Sequence, residues 1–151
     1  MSKGLEVDVS YAARRPWVPR RAQFKRWAAA ALSERARAEV LSVRVVGAAR
    51  SRSLNARYRR KDKPTNVLSF NGAGSSPDGF HYLGELVICA PVVAREAFLQ
   101  GKSPESHWAH MTVHGVLHLL GFDHERQAEA REMAATEIQI LDRLGFSDPY
   151  A

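Results

Sequence analysis

Apolar and polar positions alternate at the start of the chain. Leu5, Val7 and Val9 are separated by Glu6, Asp8 and Ser10. A period of two residues sends successive side chains to opposite faces of a strand, so this segment predicts a half-buried strand. Pro16 and Pro19 break the alternation and lead into an alanine-rich helix over Arg21–Leu32. The two-residue period returns in Val40–Val46, where Val43 and Val45 alternate with Ser42 and Arg44, and predicts a second strand. Arg50–Arg60 reads as helical, with Leu54 and Tyr58 four positions apart, and Pro64 ends it. Asn66–Phe70 and Tyr82–Cys89 are β-rich runs. Residues 71–79 between them are glycine- and serine-rich, and by composition they form the most flexible loop of the chain. Pro91 opens a helix that Gly101 stops. Ser103-Pro104-Glu105 is suited to the start of the next helix. The last helix runs from about Gln127 to Leu144, with Ala130, Ala134, Ile138 and Leu141 on one face and Gly145 beyond.

These elements predict an α+β fold: one domain over residues 1–151, a mixed four-stranded sheet, and about five helices packed on it. The connection from Val40–Val46 to Asn66–Phe70 passes through a helix, which predicts that these two strands run parallel. The short passage from Phe70 to Tyr82 suits antiparallel neighbours. No internal repeat and no linker divides the chain. Its 151 residues suit a single core, and with 45% apolar residues the composition is globular.

The most specific chemistry lies in His114-Gly115-Val116-Leu117-His118-Leu119-Leu120-Gly121-Phe122-Asp123-His124. His114 and His118 are one helical turn apart and face the same way, so two imidazoles can reach one ion. Gly121 stands where a helix would end with a residue at positive φ, which allows the chain to turn and bring His124 to the same ion. Three protein ligands with a fourth position open is the usual arrangement of catalytic zinc. The spacing matches the long zincin signature at every metal-binding position, but Gly115 replaces its general-base glutamate. His107 and His110 extend the same stripe. His110 is read as a neighbour of the ion or of the substrate rather than as a ligand, and His107 as structural. Asp123 is a candidate to orient a ligand imidazole through its other nitrogen, beside a plain reading as a turn residue. Trp108, Met111 and Leu117 are assigned to the core, while Phe70, Phe80 and Tyr82 are candidates for stacking on bases.

Charge changes the picture further. The formal net charge of +6 is divided unevenly, with 17 Lys+Arg against 5 Asp+Glu in residues 1–63 and 5 against 11 in residues 64–151. Arg50, Arg52, Arg57, Arg59, Arg60, Lys61 and Lys63 crowd one stretch opposed only by Asp62. Such a block points to a polyanion, and beside a metal site it points to RNA or DNA. Residues 1–10 have no apolar run of the signal-peptide kind, no segment is long enough to span a bilayer, and the single Cys89 cannot form an internal disulfide. These features favour the cytoplasm and a buried Cys89.

Three stretches also carry a resemblance: Leu54 to Phe70, Leu83 to Cys89, and His107 to His124, with Asp148-Pro149-Tyr150 at the end. The chain resembles the YbeY family of bacterial endoribonucleases over most of its length from about Val40 onward. The resemblance implies one divalent ion, usually zinc, on His114, His118 and His124. It implies single-stranded RNA as substrate and a place in maturing and checking ribosomal RNA, notably the 3′ end of the small-subunit RNA. Ribosome or small-subunit assembly factors are then the expected partners. The family's functional arginine maps onto Arg59, and Arg57, Arg60, Lys61 and Lys63 beside it are candidates for RNA contact. Glu85 stands where aspartate is usual, and Asn71 where proline often follows Ser-Phe. The general base is unassigned. Two other readings stay open at this point: a zincin-like metallopeptidase, against which the missing glutamate counts, and a non-catalytic ribosome-assembly factor with a structural metal, against which the open fourth position counts.

Overall fold

A computed structural model describes residues 4–32, 38–122 and 125–151. They form β1 (Leu5–Tyr11), α1 (Arg21–Leu32), β2 (Ala38–Val46), α2 (Ala48–Arg59), β3 (Val67–Ser75), β4 (Phe80–Cys89), α3 (Ala90–Gln100), α4 (Pro104–Leu119) and α5 (Gln127–Arg143). The strands make one mixed sheet in the order β1-β2-β4-β3. β1 and β4 flank β2 in parallel, and β3 closes the edge antiparallel to β4.

Two sequence expectations change. The parallel partner of β2 is β4, not β3. The reason lies in the segment after α2, which doubles back along the helix it has just left. Asn55 Nδ2 donates to Lys63 O at 2.8 Å, and Ser51 Oγ donates to Thr65 O at 3.0 Å while accepting from Thr65 N–H at 2.9 Å. The chain therefore re-enters the sheet at the end where β2 left it, with Cys89 N–H on Asn66 O at 2.9 Å, and β3 must run the other way. The glycine-rich run at 71–79 is also mostly strand. β3 continues to Ser75, with a register shift between Asn71 and Gly74, and only residues 76–79 form the turn. Asn71 keeps its ladder position opposite Gly84.

Leu41, Val43, Val45, Leu86 and Ile88 form the apolar face of the sheet, against α1, α4 and α5. The other face carries a smaller cluster of Val46, Leu68, Val87 and Cys89, capped by Leu54 of α2 and by Phe70. Cys89 is fully buried, as expected. α4 is the central helix, with eleven buried residues, Trp108, Met111 and Leu117 among them. Its start follows the sequence signal: Ser103 caps it by accepting from Ser106 N–H, Pro104 occupies the first turn, and Glu105 faces the helix dipole. Phe24 packs edge-on against Trp27 and Trp108 at 6.0 and 5.9 Å, and Trp27 against Phe146 at 6.3 Å. Each such contact contributes about 0.5–1.5 kcal/mol beyond area burial. The chain of rings ties α1, α4 and the segment after α5 into one unit, so the histidines of α4 stand on a rigid support.

Candidate active site

α4 ends as its glycine requires. Gly121 sits at φ +101, and Phe122 N–H reaches Leu117 O at 3.0 Å across the turn. His124 and Asp123, assigned to the metal and to its surroundings, lie just beyond, outside the described residues. One turn before the helix end, His114 and His118 face each other with ring centroids 4.7 Å apart and Nε2 atoms 3.1 Å apart. Two imidazole nitrogens that close must share a proton or a cation. Ligands on a tetrahedral ion with bonds of about 2.0–2.1 Å are separated by about 3.3 Å, so the pair fits a shared ion.

The group that sets this pair is Glu137, on α5. It is fully buried. His114 Nδ1 bonds its Oε2, while Tyr150 OH donates to its Oε1 and His110 Nε2 lies 3.3 Å from that same oxygen. Burial pushes the Glu137 carboxyl up, but the hydrogen bonds from His110 and His114, the charge of His114 and the bond from Tyr150 outweigh it and hold the group at about 2. An ionised carboxylate only accepts, so His114 carries a proton on Nδ1, and in the neutral ring the lone pair is then on Nε2, the nitrogen that faces His118. A carboxylate behind a ligand imidazole is the usual way a metal-binding tautomer is fixed. Burial and the Glu137 bond also push the Tyr150 hydroxyl well above the usual tyrosine range, so it remains a donor.

His110, His114 and Glu137 also offer ligand atoms within 4.8 Å of one another, a second grouping that could hold an ion and that shares His114. In that grouping both Glu137 oxygens already accept hydrogen bonds, whereas the His114–His118 pair opens onto a cleft. The cleft has a volume of about 540 Å³ and is lined by Arg59, Lys61, Lys63, Asn66, Ser69, His114, His118 and Glu125 among others. Its basic wall is built by α2. Arg59 is the last helical residue, Arg60 turns at φ 59, and Lys61 N–H caps Asn55 O at 3.3 Å. Arg59, Lys61 and Lys63 thus line the same cleft as His114 and His118. Arg57 and Arg60 are exposed but do not line it, and Arg57 instead lies 5.4 Å over the Tyr58 ring. Phe80 and Tyr82 are exposed on β4, while Phe70 is half-buried under Tyr58.

A second carboxylate, Glu96 of α3, anchors the edge of the cleft. It takes His107 Nε2 at 2.8 Å and Asn66 Nδ2 at 3.1 Å, and Asn66 Oδ1 accepts Val67 N–H at 2.6 Å. His107 is therefore structural, as read from sequence, and His110 lies beside the ligand candidates. Glu85, the departure from the family pattern, pairs with Arg44 on the neighbouring strand, where one guanidinium nitrogen, Nη2, donates to both carboxylate oxygens at 2.9 and 3.0 Å.

Gly115 explains the absent zincin glutamate. A Cβ there would stand 2.7 Å from Leu86 Cδ2 and 3.3 Å from Val67 Cγ2. The position faces the sheet, where helix and strand approach too closely for a side chain, and Ser69 Oγ bonds Gly115 O at 3.1 Å.

Sequence reasoning did not single out Glu137, Glu96, Ser51 or Asn55. Apolar periodicity carries no signal for Glu137: on α5 the buried positions are Met133, Glu137, Ile140 and Leu141. The face expected from sequence, Ala130, Ala134 and Ile138 with Leu141, is only half-buried in its first three members.

The chain is similar to a family model, to several relatives in sequence, and to one solved structure in fold. The family model described as Endoribonuclease YbeY matches residues 16–145. A protein named Endoribonuclease YbeY from Stenotrophomonas maltophilia strain K279a is 54% identical, covering 97% of this chain and 94% of the relative. One of the same name from Xanthomonas campestris pv. campestris strain B100 is 52% identical over 100% of this chain and 98% of the relative. One from Nitrosococcus oceani is 47% identical over 97% of each. The solution structure of TM1509 from Thermotoga maritima has the same fold, with a TM-score of 0.61 and 21% identity, covering 91% of this chain and 88% of that one. From residue 16 to residue 145 the match takes in the basic wall, the facing histidines and the helix that carries Glu137, and the chain belongs to the endoribonuclease YbeY family.

Proposed function

We propose that the chain is a metal-dependent endoribonuclease that cuts single-stranded RNA, with the 3′ end of small-subunit ribosomal RNA as its substrate. His114, His118 and His124 would hold one divalent ion; imidazole suits zinc, nickel, copper and iron, and zinc is the one favoured by three histidines with an open fourth position. The observation that carries this reading is the facing pair of Nε2 atoms on a cleft that Arg59, Lys61 and Lys63 also line. Family membership supports RNA as the substrate. Ribosomal or small-subunit assembly partners and a cytoplasmic setting follow from the same reading. Among the described residues, no helix is long and apolar enough to cross a membrane.

A divalent ion held by these histidines would supply Lewis-acid chemistry, making water a better nucleophile and polarising a phosphoryl oxygen. The chain supplies the rest. Lys61 and Lys63 bring positive charge to the strand backbone. Arg59 offers a planar fork that can pair with two phosphoryl oxygens as negative charge grows on them. Glu137 keeps the His114 proton on Nδ1, away from the cleft. A peptidase reading loses ground on Gly115, whose position faces Leu86 rather than the cleft.

The test is incubation of metal-defined protein with one RNA as a single strand and as a duplex, beside His114→Ala and a casein control. Cleavage of the single strand, an intact duplex, intact casein and an inert variant are expected. Casein hydrolysis that disappears with His114→Ala would favour the peptidase, and RNA binding with no turnover would favour the assembly factor.

A further inference from the structure

The last residues of the chain reach back to the site. α5 stops at Gly145, and Phe146 N–H closes the turn on Leu141 O at 2.8 Å while its ring packs on Trp27. Beyond this anchor, Asp148 shapes the tail: its Oδ1 accepts Tyr150 N–H at 2.8 Å, and its main-chain oxygen accepts Ala151 N–H at 3.3 Å. The curl carries the Tyr150 hydroxyl onto Glu137 Oε1 and sets its ring edge-on to His110, with centroids 5.4 Å apart. The other oxygen of that carboxylate holds His114. Two hydrogen bonds thus connect Tyr150 to the cleft, one to Glu137 and one between Glu137 and His114.

We infer that Tyr150 is a positioning residue of the metal centre: its hydroxyl fixes the Glu137 carboxylate and, through it, the orientation and tautomer of His114. The inference rests on the reading of His114 as a ligand. Glu137 is fully buried, so water does not replace a lost donor at Oε1. Without the hydroxyl, Oε1 keeps only His110, at a longer 3.3 Å. The carboxylate is then drawn to rebalance its two oxygens, and His114 loses its fixed partner. The tail is suited to this task because it is not part of the core. Tyr150 is 56% exposed, and replacing its hydroxyl leaves every buried apolar contact in place.

Loss of a group that orients a ligand imidazole typically weakens metal binding by about 10–100-fold. Tyr150 acts one bond further away, so Tyr150→Phe should fall near the lower end of that range, at about tenfold. Glu137→Gln, which keeps the shape but removes the ionised acceptor, should lose more. The readouts are zinc affinity by competition with a chromophoric chelator, the visible spectrum of the cobalt-loaded protein, and the melting temperature of the metal-free protein. Tyr150→Phe is expected to bind zinc about tenfold more weakly, with an altered cobalt spectrum and a metal-free protein that still melts cooperatively, at a lower temperature because buried Glu137 has lost a donor. If His114→Ala fails to bind zinc while Tyr150→Phe binds within about twofold of the original chain, the positioning role is overturned and the ligand reading stands. If His114→Ala binds zinc as tightly as the original chain, the ligand reading fails and takes the positioning role with it.

Discussion

Arg59→Ala should slow cleavage of single-stranded RNA by about a hundredfold or more while leaving fold and metal content unchanged. Arg59 is exposed at the last position of α2 and lines the cleft with His114 and His118. It supports no core contact, and the turn behind it is held by Asn55 and Lys61 main-chain atoms rather than by its side chain. A donor aimed at charge that develops only in the transition state contributes to turnover more than to binding, and removing one commonly costs about 10²–10³ in rate. Arg59→Lys should recover only part of the loss, because an ammonium keeps the charge without the planar fork. Single-turnover cleavage at saturating protein, with metal content measured for each variant, separates these effects. A near-original rate in Arg59→Ala would return this residue to the solvated basic surface.

The second large effect is expected at the position where zincins carry their base. Gly115→Glu should not create a peptidase; it should destabilise the chain by about 4 kcal/mol or more. The Cβ alone meets Leu86 at 2.7 Å, and a carboxylate beyond it would be driven against Leu86 and Val67 at the helix–sheet contact without a partner. Overpacking typically costs about 1–3 kcal/mol, and an unpaired buried charge adds to that. Gly115→Ala should cost less, because the nearest atom is the tip of a leucine side chain that can move. Chemical denaturation of both variants checks the order. A stable Gly115→Glu protein that hydrolyses casein would contradict the packing account.

How far the sequence could be read follows from which interactions are local. The two-residue period of β1 and β2, the Ser103-Pro104-Glu105 start of α4 and the Gly121 stop are decided by neighbours in the chain, and the structure has them where the pattern placed them. The facing of His114 and His118 is equally local, one helical turn. The order of strands is not. It depends on Ser51 and Asn55 folding residues 60–65 back along α2, two side-chain contacts with no periodic signature. The glycine-rich run at 71–79 was misleading for a related reason. Glycine and serine are common in loops, but here Gly72 sits in β3 where an added Cβ would meet Tyr82 O at 2.2 Å. Close strand approach, rather than flexibility, accounts for it. Glu137 was missed because an apolar-periodicity reading carries no signal for a buried carboxylate. The sequence offered the alanine stripe of α5 as an apolar face, whereas the buried positions are Met133, Glu137, Ile140 and Leu141.

The central claim is that an ion on His114 and its neighbours drives RNA cleavage in the cleft that Arg59 lines. The most direct measurement is single-turnover cleavage of end-labelled single-stranded RNA by chelator-stripped protein before and after one equivalent of zinc per chain. The account predicts no cleavage by the stripped protein, recovery that saturates at one equivalent, and no recovery in His118→Ala. Undiminished cleavage by protein shown to be free of metal, or full recovery in His118→Ala, would contradict it.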